Sequence, residues 1–167
     1  MLAVDFHLEH DYRAAPEMVF AMLSDPEFLD ARFEATGALK HEVVQCARNA
    51  GGGFDIVTRR TVHTDIPGFA RRVLPATNSL TQTEEWQAES DGVRVGTWRI
   101  DAGAVPVSTS GTTRVEPTDG GAVHHIEGTI KVPVPIIGGR LERFVFENAN
   151  KTLGAEHEFG QRWLAER

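Results

Sequence analysis

Hydrophobic and polar residues alternate along the first segment of the chain. Over residues 4–12, Val4, Phe6 and Leu8 fall on one face, and polar or charged residues stand between them. Strict alternation over this length is typical of a strand that buries one face. The pattern therefore predicts an opening β-strand.

Two short helices are predicted to follow this strand. Pro16 stands at a preferred first helical position, and an apolar run continues from it to residue 23. The tripeptide Ser-Asp-Pro ends this helix. A second helix is expected from residue 27 to about residue 35, because Gly37 supplies a stop signal just beyond it.

From residue 38 the hydrophobic period changes to two, and turns rich in glycine separate the alternating segments. Alternating segments joined by short turns predict antiparallel strands that follow one another in a meander. The predicted strands are residues 39–47, 54–64, 80–88, 93–101, 105–115 and 122–132.

The final segment, residues 137–166, contains no proline and is predicted to form one long helix. At 100° per residue its apolar side chains fill a sector wider than usual, which is typical of a helix held against a concave sheet. Asn148, Thr152 and Glu156 are spaced by four residues, so they lie on one line in the middle of that apolar sector.

Composition narrows the class of protein. The chain has 167 residues, 41% of them hydrophobic, which suits a single domain over residues 1–167 with its own core. A formal net charge of −7 argues against nucleic acid as a partner, because phosphate binding needs a basic surface. We expect a cytoplasmic protein without an integral membrane segment, because no apolar run approaches about 20 residues and the first residues lack a signal-peptide pattern.

The sequence predicts no metal, no cofactor and no catalytic residue. The single cysteine, Cys46, excludes an internal disulfide and a cysteine-rich zinc site. His124 and His125 are adjacent in a predicted strand and point to opposite faces, and His7 and His10 also differ in parity. The glycines at residues 51–53 match no phosphate-binding loop.

The order of elements resembles the START-like superfamily, also called SRPBCC or helix-grip. The resemblance rests on that order, on the helix start at Pro16, on Trp86 in the middle strands and on the segment 135–139 before the last helix. It looks closest to an uncharacterised bacterial branch. The implied fold class is α+β: a curved antiparallel sheet of about seven strands, two short helices after strand 1, and a long C-terminal helix packed across the sheet.

In relatives of this superfamily the sheet and the last helix enclose a cavity for a hydrophobic or amphipathic molecule, so the resemblance implies such a cavity here. Glu156 facing a dry interior would need a raised pKa or a charged partner. Its partner would depend on strand register, and the candidates are Arg60, Arg99, His124 and His125. The alternative is that Glu156 reaches water at the edge of the sector and Asn148 is a satisfied core amide.

The middle strands and one loop provide further candidates. If Leu80 and Trp86 face inward, Gln82 and Glu84 face inward too, because strand residues two apart share a face. A bulge or a solvent-exposed rim would be the alternative, and Trp86 is more typical of a core residue than of a ligand contact. Phe69 lies in the irregular loop 65–75, which could act as a lid over the cavity mouth or simply pack on the sheet.

We therefore predict a protein that binds or transports a hydrophobic small molecule of lipid, fatty-acyl or polyketide-like type. The candidate ligand-binding residues are Glu156, Thr152, Asn148, Trp86, Glu84, Gln82 and Phe69. One alternative is a cyclase, dehydratase or hydrolase that uses the same cavity, with Glu156, Glu84 or a histidine as acid or base. Another is an interaction module, with a homodimer also left open, whose interior is filled by Phe54, Trp86, Trp98 and Trp163. The residues favour a binding protein over an enzyme.

Overall fold

A seven-stranded antiparallel sheet and three α-helices form the fold in the computed structural model, which describes residues 3–167. The strands are β1 (Val4–Tyr12), β2 (Lys40–Arg48), β3 (Phe54–His63), β4 (Thr77–Trp86), β5 (Arg94–Asp101), β6 (Ser108–Thr118) and β7 (Gly121–Lys131). The helices are α1 (Pro16–Leu23), α2 (Pro26–Ala35) and α3 (Gly138–Ala165), with a 3-10 turn at Gly68–Ala70. None of the helices described here is both long and apolar enough to cross a membrane.

The strands lie in the order β1-β7-β6-β5-β4-β3-β2. Strands β2 to β7 thus follow one another as the predicted meander, and β1 closes the other edge by pairing antiparallel with β7. The predicted fold class, a curved antiparallel sheet with two short helices and a long C-terminal helix, is confirmed.

The predicted and observed strand limits differ most at β6, which begins at Ser108 and ends at Thr118. Pro106 has no N–H to donate to a sheet ladder, so the segment before residue 108 does not join the strand. Val105 and Val107 instead line the interior of the protein. At the other end, Pro117 still pairs with Ala122 across the tight turn to β7.

Helix α1 begins at Pro16 as predicted, and α2 begins at Pro26, one residue before its predicted start. Pro16 and Pro26 occupy the first turn of α1 and α2, where a missing backbone N–H costs no helical hydrogen bond. Asp25 also caps α2, because its carboxylate accepts a 2.9 Å hydrogen bond from the Glu27 N–H. These two helices pack their apolar residues, including Val19 and Leu29, into the core at one end of the sheet.

Helix α3 is held at its two ends. At its start, Leu141 is fully buried, and the Glu142 carboxylate accepts a 2.9 Å hydrogen bond from the Val132 N–H just beyond β7. Towards its end, the rings of Phe159 and Trp163 lie 5.7 and 5.4 Å from the ring of Phe28 in α2. The middle of α3 therefore lies over the concave face of the sheet, between these two packed ends.

Candidate functional site

A cavity of about 330 Å³ lies between the concave face of the sheet and the middle of α3. Every strand except β2 contributes lining residues, and so do α1, α2 and α3. Much of the wall is apolar, as at Phe6, Leu80, Ile126 and Phe144. The cavity thus occupies the space that the two anchored ends of α3 leave between them.

The three polar residues predicted on one line of α3 all lie on the cavity wall. Asn148, Thr152 and Glu156 line it, together with Ala149 and Leu153 between them. The side chain of Glu156 is 13% exposed, so most of it is shielded from bulk water. The helical period predicts that these residues share one face of α3, and that face lines the cavity.

Strand β4 brings a second set of polar groups to the same cavity. Gln82 and Glu84 line it, and β4 pairs with β3 and β5 without a bulge. Arg60 of β3 donates a 3.1 Å hydrogen bond to the Gln82 Oε1 atom, and the Gln82 Nε2 group donates at 3.4 Å to Glu84. The side chains of these three residues form one connected polar chain along the sheet.

Trp86 stands beside the cavity and does not line it. Its side chain is 2% exposed and packs among the buried residues of α1 and α2, but its indole N–H donates a 3.2 Å hydrogen bond to Glu84. Burial raises the pKa of the Glu84 carboxyl above its usual range, while the nearby Arg32 charge and the hydrogen bond from Trp86 act against that rise. Trp86 therefore orients Glu84 from behind the wall.

Arg32 in α2 is the partner of Glu156 that the sequence did not predict. Its Nη1 atom lies 3.7 Å from the Glu156 carboxylate, which is an ion-pair distance and longer than a hydrogen bond. Its Nε atom is buried and has no hydrogen-bond acceptor anywhere in residues 3–167. The guanidinium, which lines the cavity, rests on the rings of Phe28 and Phe33, 5.6 and 4.9 Å away.

The other candidate partners of Glu156 fall into two pairs, one on each face of the sheet. Arg60 and His124 line the cavity. Arg99 and His125 lie on the opposite face of the sheet, since each is one residue away in its strand from a lining residue. A sequence signal for Arg32 did exist, because it shares the apolar stripe of α2 with Phe28, Leu29 and Phe33.

Histidines and a tyrosine complete the polar end of the cavity. His124 is buried, its ring Nε2 is 2.7 Å from the hydroxyl of Thr113, and burial lowers its pKa to about 3. The ring of His10 stacks on that of His157 with centroids 4.4 Å apart, and burial lowers the pKa of His10 to about 4. Both His124 and His10 are therefore neutral at physiological pH. Burial also raises the pKa of the neighbouring Tyr12 hydroxyl, which keeps it protonated.

Phe69 lies outside the cavity lining. In the 3-10 turn it is Ala70 that is fully buried, and the ring of Phe69 lies half-buried under the guanidinium of Arg140, 4.0 Å away. Ile66 and Leu74, on either side of the turn, do line the cavity. The loop 65–75 therefore borders the cavity, but through residues other than the predicted one.

The interior is not filled by its large aromatic side chains. Of Phe54, Trp86, Trp98 and Trp163, only Trp98 touches the cavity, and the other three pack around the α1 and α2 end of the sheet. The indole N–H of Trp98 donates to the Thr112 carbonyl at 3.1 Å, which holds the ring to one side. The open cavity counts against an interaction module with a collapsed interior.

Comparison with known proteins identifies a family and relatives of this chain. The profile of a family described as "Protein of unknown function (DUF2505)" matches residues 7–164. The "Uncharacterized protein Rv0481c" of Mycobacterium tuberculosis is 24% identical over 166 residues, covering 95% of each chain.

Solved structures with the same arrangement of elements are more distant in sequence. The protein TTHA0849 from Thermus thermophilus has a TM-score of 0.62 at 20% identity and covers 95% of this chain and 97% of its own. Norcoclaurine synthase from Thalictrum flavum, solved with dopamine and hydroxybenzaldehyde, has a TM-score of 0.61 at 15% identity, covering 99% and 88%. Ara h 8.0201 has a TM-score of 0.58 at 16% identity, covering 95% and 98%. These likenesses establish a helix-grip fold of the birch-pollen-allergen type.

Proposed function

Since the chain belongs to the DUF2505 family of proteins of unknown function, we propose its function from its cavity: it binds an amphipathic small molecule that carries an oxygen anion at one end. The observation that supports this most directly is the buried Arg32 guanidinium on the cavity wall, whose Nε–H has no acceptor within residues 3–167. A buried donor without an acceptor costs free energy that a ligand oxygen would recover.

The apolar part of the cavity limits the size and the polarity of the ligand body. Small-molecule pockets occupy about 300–1,000 Å³, so a volume of about 330 Å³ is at the lower end of that range. A single acyl chain or a compact aromatic compound suits this volume, whereas a lipid with two chains exceeds it. The Phe6 and Phe144 rings and the aliphatic walls would bury such a body without needing hydrogen bonds.

The charged groups at the polar end of the cavity indicate the charge that the head of the ligand carries. Arg32 and Arg60 bring two guanidinium groups to the cavity, and Glu84 and Glu156 bring two carboxyls. Because burial raises the pKa of Glu84, that carboxyl ionises less readily than a free one and balances the two guanidinium charges less completely. A ligand carboxylate or phenolate beside Arg32 would balance this charge and accept its free N–H.

The first experiment is to purify the protein under native conditions and to identify by mass spectrometry any small molecule that leaves it on denaturation. We expect a stoichiometric compound with an apolar body and an acidic oxygen. The absence of any bound compound from several expression hosts, combined with no uptake of a fluorescent fatty acid, would refute the proposal.

The second experiment asks whether Arg32 recognises the acidic head. The double variant Arg32→Gln/Glu156→Gln avoids leaving a buried carboxylate unpaired, and Arg59→Gln, which removes an exposed guanidinium next to Arg60, is the matched control. A charge-assisted hydrogen bond is worth about 1.5–3 kcal/mol, so we expect the double variant to bind a fluorescent fatty acid about 10- to 100-fold more weakly. Binding of the corresponding fluorescent alcohol should change little, and Arg59→Gln should bind both as the wild type does. An equal loss for acid and alcohol would contradict the role of Arg32.

A second candidate function, an enzyme acting in the same cavity, is favoured by one observation. The Glu84 carboxyl lines the cavity and has a raised pKa, so it could donate a proton to a bound compound. Incubating the recovered compound with the protein distinguishes the two functions. A change in its mass that Glu84→Gln abolishes would favour the enzyme, and an unchanged compound would favour the binding protein.

A further inference from the structure

On the outer face of the sheet, away from the cavity, three potential metal ligands lie close together. The His7 Nε2 atom is 3.0 Å from the His125 Nδ1 atom, so the two rings share a hydrogen bond whose proton a metal ion would replace. The Glu9 Oε1 atom is 3.7 Å from the first nitrogen and 3.6 Å from the second. Two imidazoles and one carboxylate thus form a nearly equilateral triangle of ligand atoms.

The pairing of β1 with β7 brings these residues together. Glu9 stands opposite His125, and His7 stands opposite Glu127. Residues directly opposite in antiparallel strands have Cβ atoms about 4.5–5.5 Å apart, so the four side chains form a compact square on one face. Parity within a strand separates His7 from His10 and His124 from His125, whereas the register between β1 and β7 places His7 and His125 on the same side.

The triangle has the size that zinc requires. Zn²⁺ bonds of about 2.0–2.1 Å in a tetrahedral site separate neighbouring ligand atoms by about 3.3–3.4 Å, and the three distances of 3.0, 3.6 and 3.7 Å lie around that value. One ion could sit about 2 Å from all three atoms at once. Facial six-coordinate geometry with bonds of about 2.1 Å would place each pair of ligand atoms about 3.0 Å apart, which two of the three distances exceed.

Carboxylates also stand behind both imidazoles. The His125 Nε2 atom is 2.9 Å from Glu116, which is a hydrogen-bond distance, whereas the His7 Nδ1 atom is 3.6 Å from Glu127, which is too long for one. In metal sites, a carboxylate on the second ring nitrogen fixes the tautomer and orients the imidazole towards the ion. Arg114 pairs with Glu116, so the triangle and its surroundings together carry three carboxylates, Glu9, Glu116 and Glu127, against one guanidinium and attract cations.

We propose that His7, Glu9 and His125 form a surface site for a divalent transition-metal ion of the Zn²⁺ type. Water fills the fourth position, because His7 and Glu9 are both exposed. Imidazole and carboxylate together suit Zn²⁺ and its neighbours in the first transition series better than Ca²⁺ or Mg²⁺, which prefer oxygen ligands alone. The site is independent of the cavity and of what the cavity binds.

The test uses full-length protein without an affinity tag, stripped of metal by a chelator. Titration with Zn²⁺ against a chromophoric chelator should give one ion per chain, and Co²⁺ should give the intense visible absorption of a four-coordinate site. His7→Ala and His125→Ala should each lower Zn²⁺ affinity at least 100-fold. Glu116→Gln, which removes only the outer carboxylate, should lower it about 10- to 100-fold.

His63→Ala is the matched control, because His63 is an exposed histidine on β3 with a carboxylate nearby, and it should bind Zn²⁺ as the wild type does. The substituted side chains point away from the core, so every variant should keep the circular dichroism of the folded wild type, although His125→Ala and Glu116→Gln also lose the hydrogen bond between these two residues. Failure of the wild type to bind one Zn²⁺ per chain, binding that survives in His7→Ala/His125→Ala, or a six-coordinate Co²⁺ spectrum would each overturn the proposal.

Discussion

His124 makes the fold less stable in mild acid. Its ring is buried beside Thr113, and burial lowers its pKa from 6.5 to about 3, with smaller contributions from the positive charge of Arg32 and from His10, His125 and His157. The unfolded chain takes up a proton near pH 6.5, whereas the folded chain resists protonation until about pH 3. Acid in this window therefore favours the unfolded state.

The size of the effect follows from the width of the window. Each pH unit between the two pKa values is worth about 1.4 kcal/mol. Protonation of His124 in the unfolded state should thus reduce the free energy of unfolding by about 2 kcal/mol between pH 7.5 and pH 5. Glu84 acts with the opposite sign, because its raised pKa lets the folded state keep a proton that the unfolded state has lost.

The measurement compares urea denaturation at pH 7.5 and pH 5 for the wild type and His124→Gln. Glutamine keeps an amide within reach of the Thr113 hydroxyl and does not titrate, and Glu84 is present in both proteins, so its contribution cancels in the comparison. The wild type should lose about 2 kcal/mol more than His124→Gln between the two pH values. His63→Gln, which removes an exposed histidine, should behave as the wild type does. Equal losses in the wild type and in His124→Gln would refute the reasoning.

Two further predictions concern backbone strain and close packing. Ile136 is exposed and has a φ of 71°, a backbone conformation that costs an L-residue about 1–2 kcal/mol. The variant Ile136→Gly should therefore raise the free energy of unfolding by about 0.5–1 kcal/mol in thermal denaturation. A loss of stability in this variant would contradict the assigned strain. At Gly128 a Cβ atom would lie 2.5 Å from the Trp98 ring and 2.8 Å from the Phe6 ring, so Gly128→Ala should cost about 1–3 kcal/mol in urea denaturation. Gly139→Ala, where nothing lies within 4 Å of the new atom, serves as the control and should not destabilise the protein.

The residues on the cavity side of α3 could be predicted because helical periodicity needs no knowledge of the rest of the fold. Asn148, Thr152 and Glu156 share a face wherever the helix begins, and that face has to meet the sheet. The same holds for Gln82 and Glu84, whose parity with the buried Trp86 fixes their side of β4.

The contacts between elements could not be predicted in this way. Arg32 meets Glu156 only because α2 and α3 converge at the end of the cavity. The hydrophobic period of either helix alone does not predict that the two helices approach each other there. The triangle of His7, Glu9 and His125 depends on the pairing of β1 with β7, which parity inside a single strand does not determine. The position of Phe69 escapes prediction for a related reason, since a three-residue turn has no period to indicate which side chain points inward.

The pairing of the first strand with the last also has a consequence for synthesis on the ribosome. Val4 pairs with Ile130, and Tyr12 pairs with Ala122. More than a hundred further residues must therefore be synthesised after β1 before its hydrogen-bonding partner emerges. Non-local pairing of this kind slows folding and leaves apolar strand surface uncovered in the meantime. The nascent chain is therefore most vulnerable to aggregation before β7 leaves the exit tunnel, and a chaperone that covers Phe6 and Leu8 during that interval would raise the yield of folded protein.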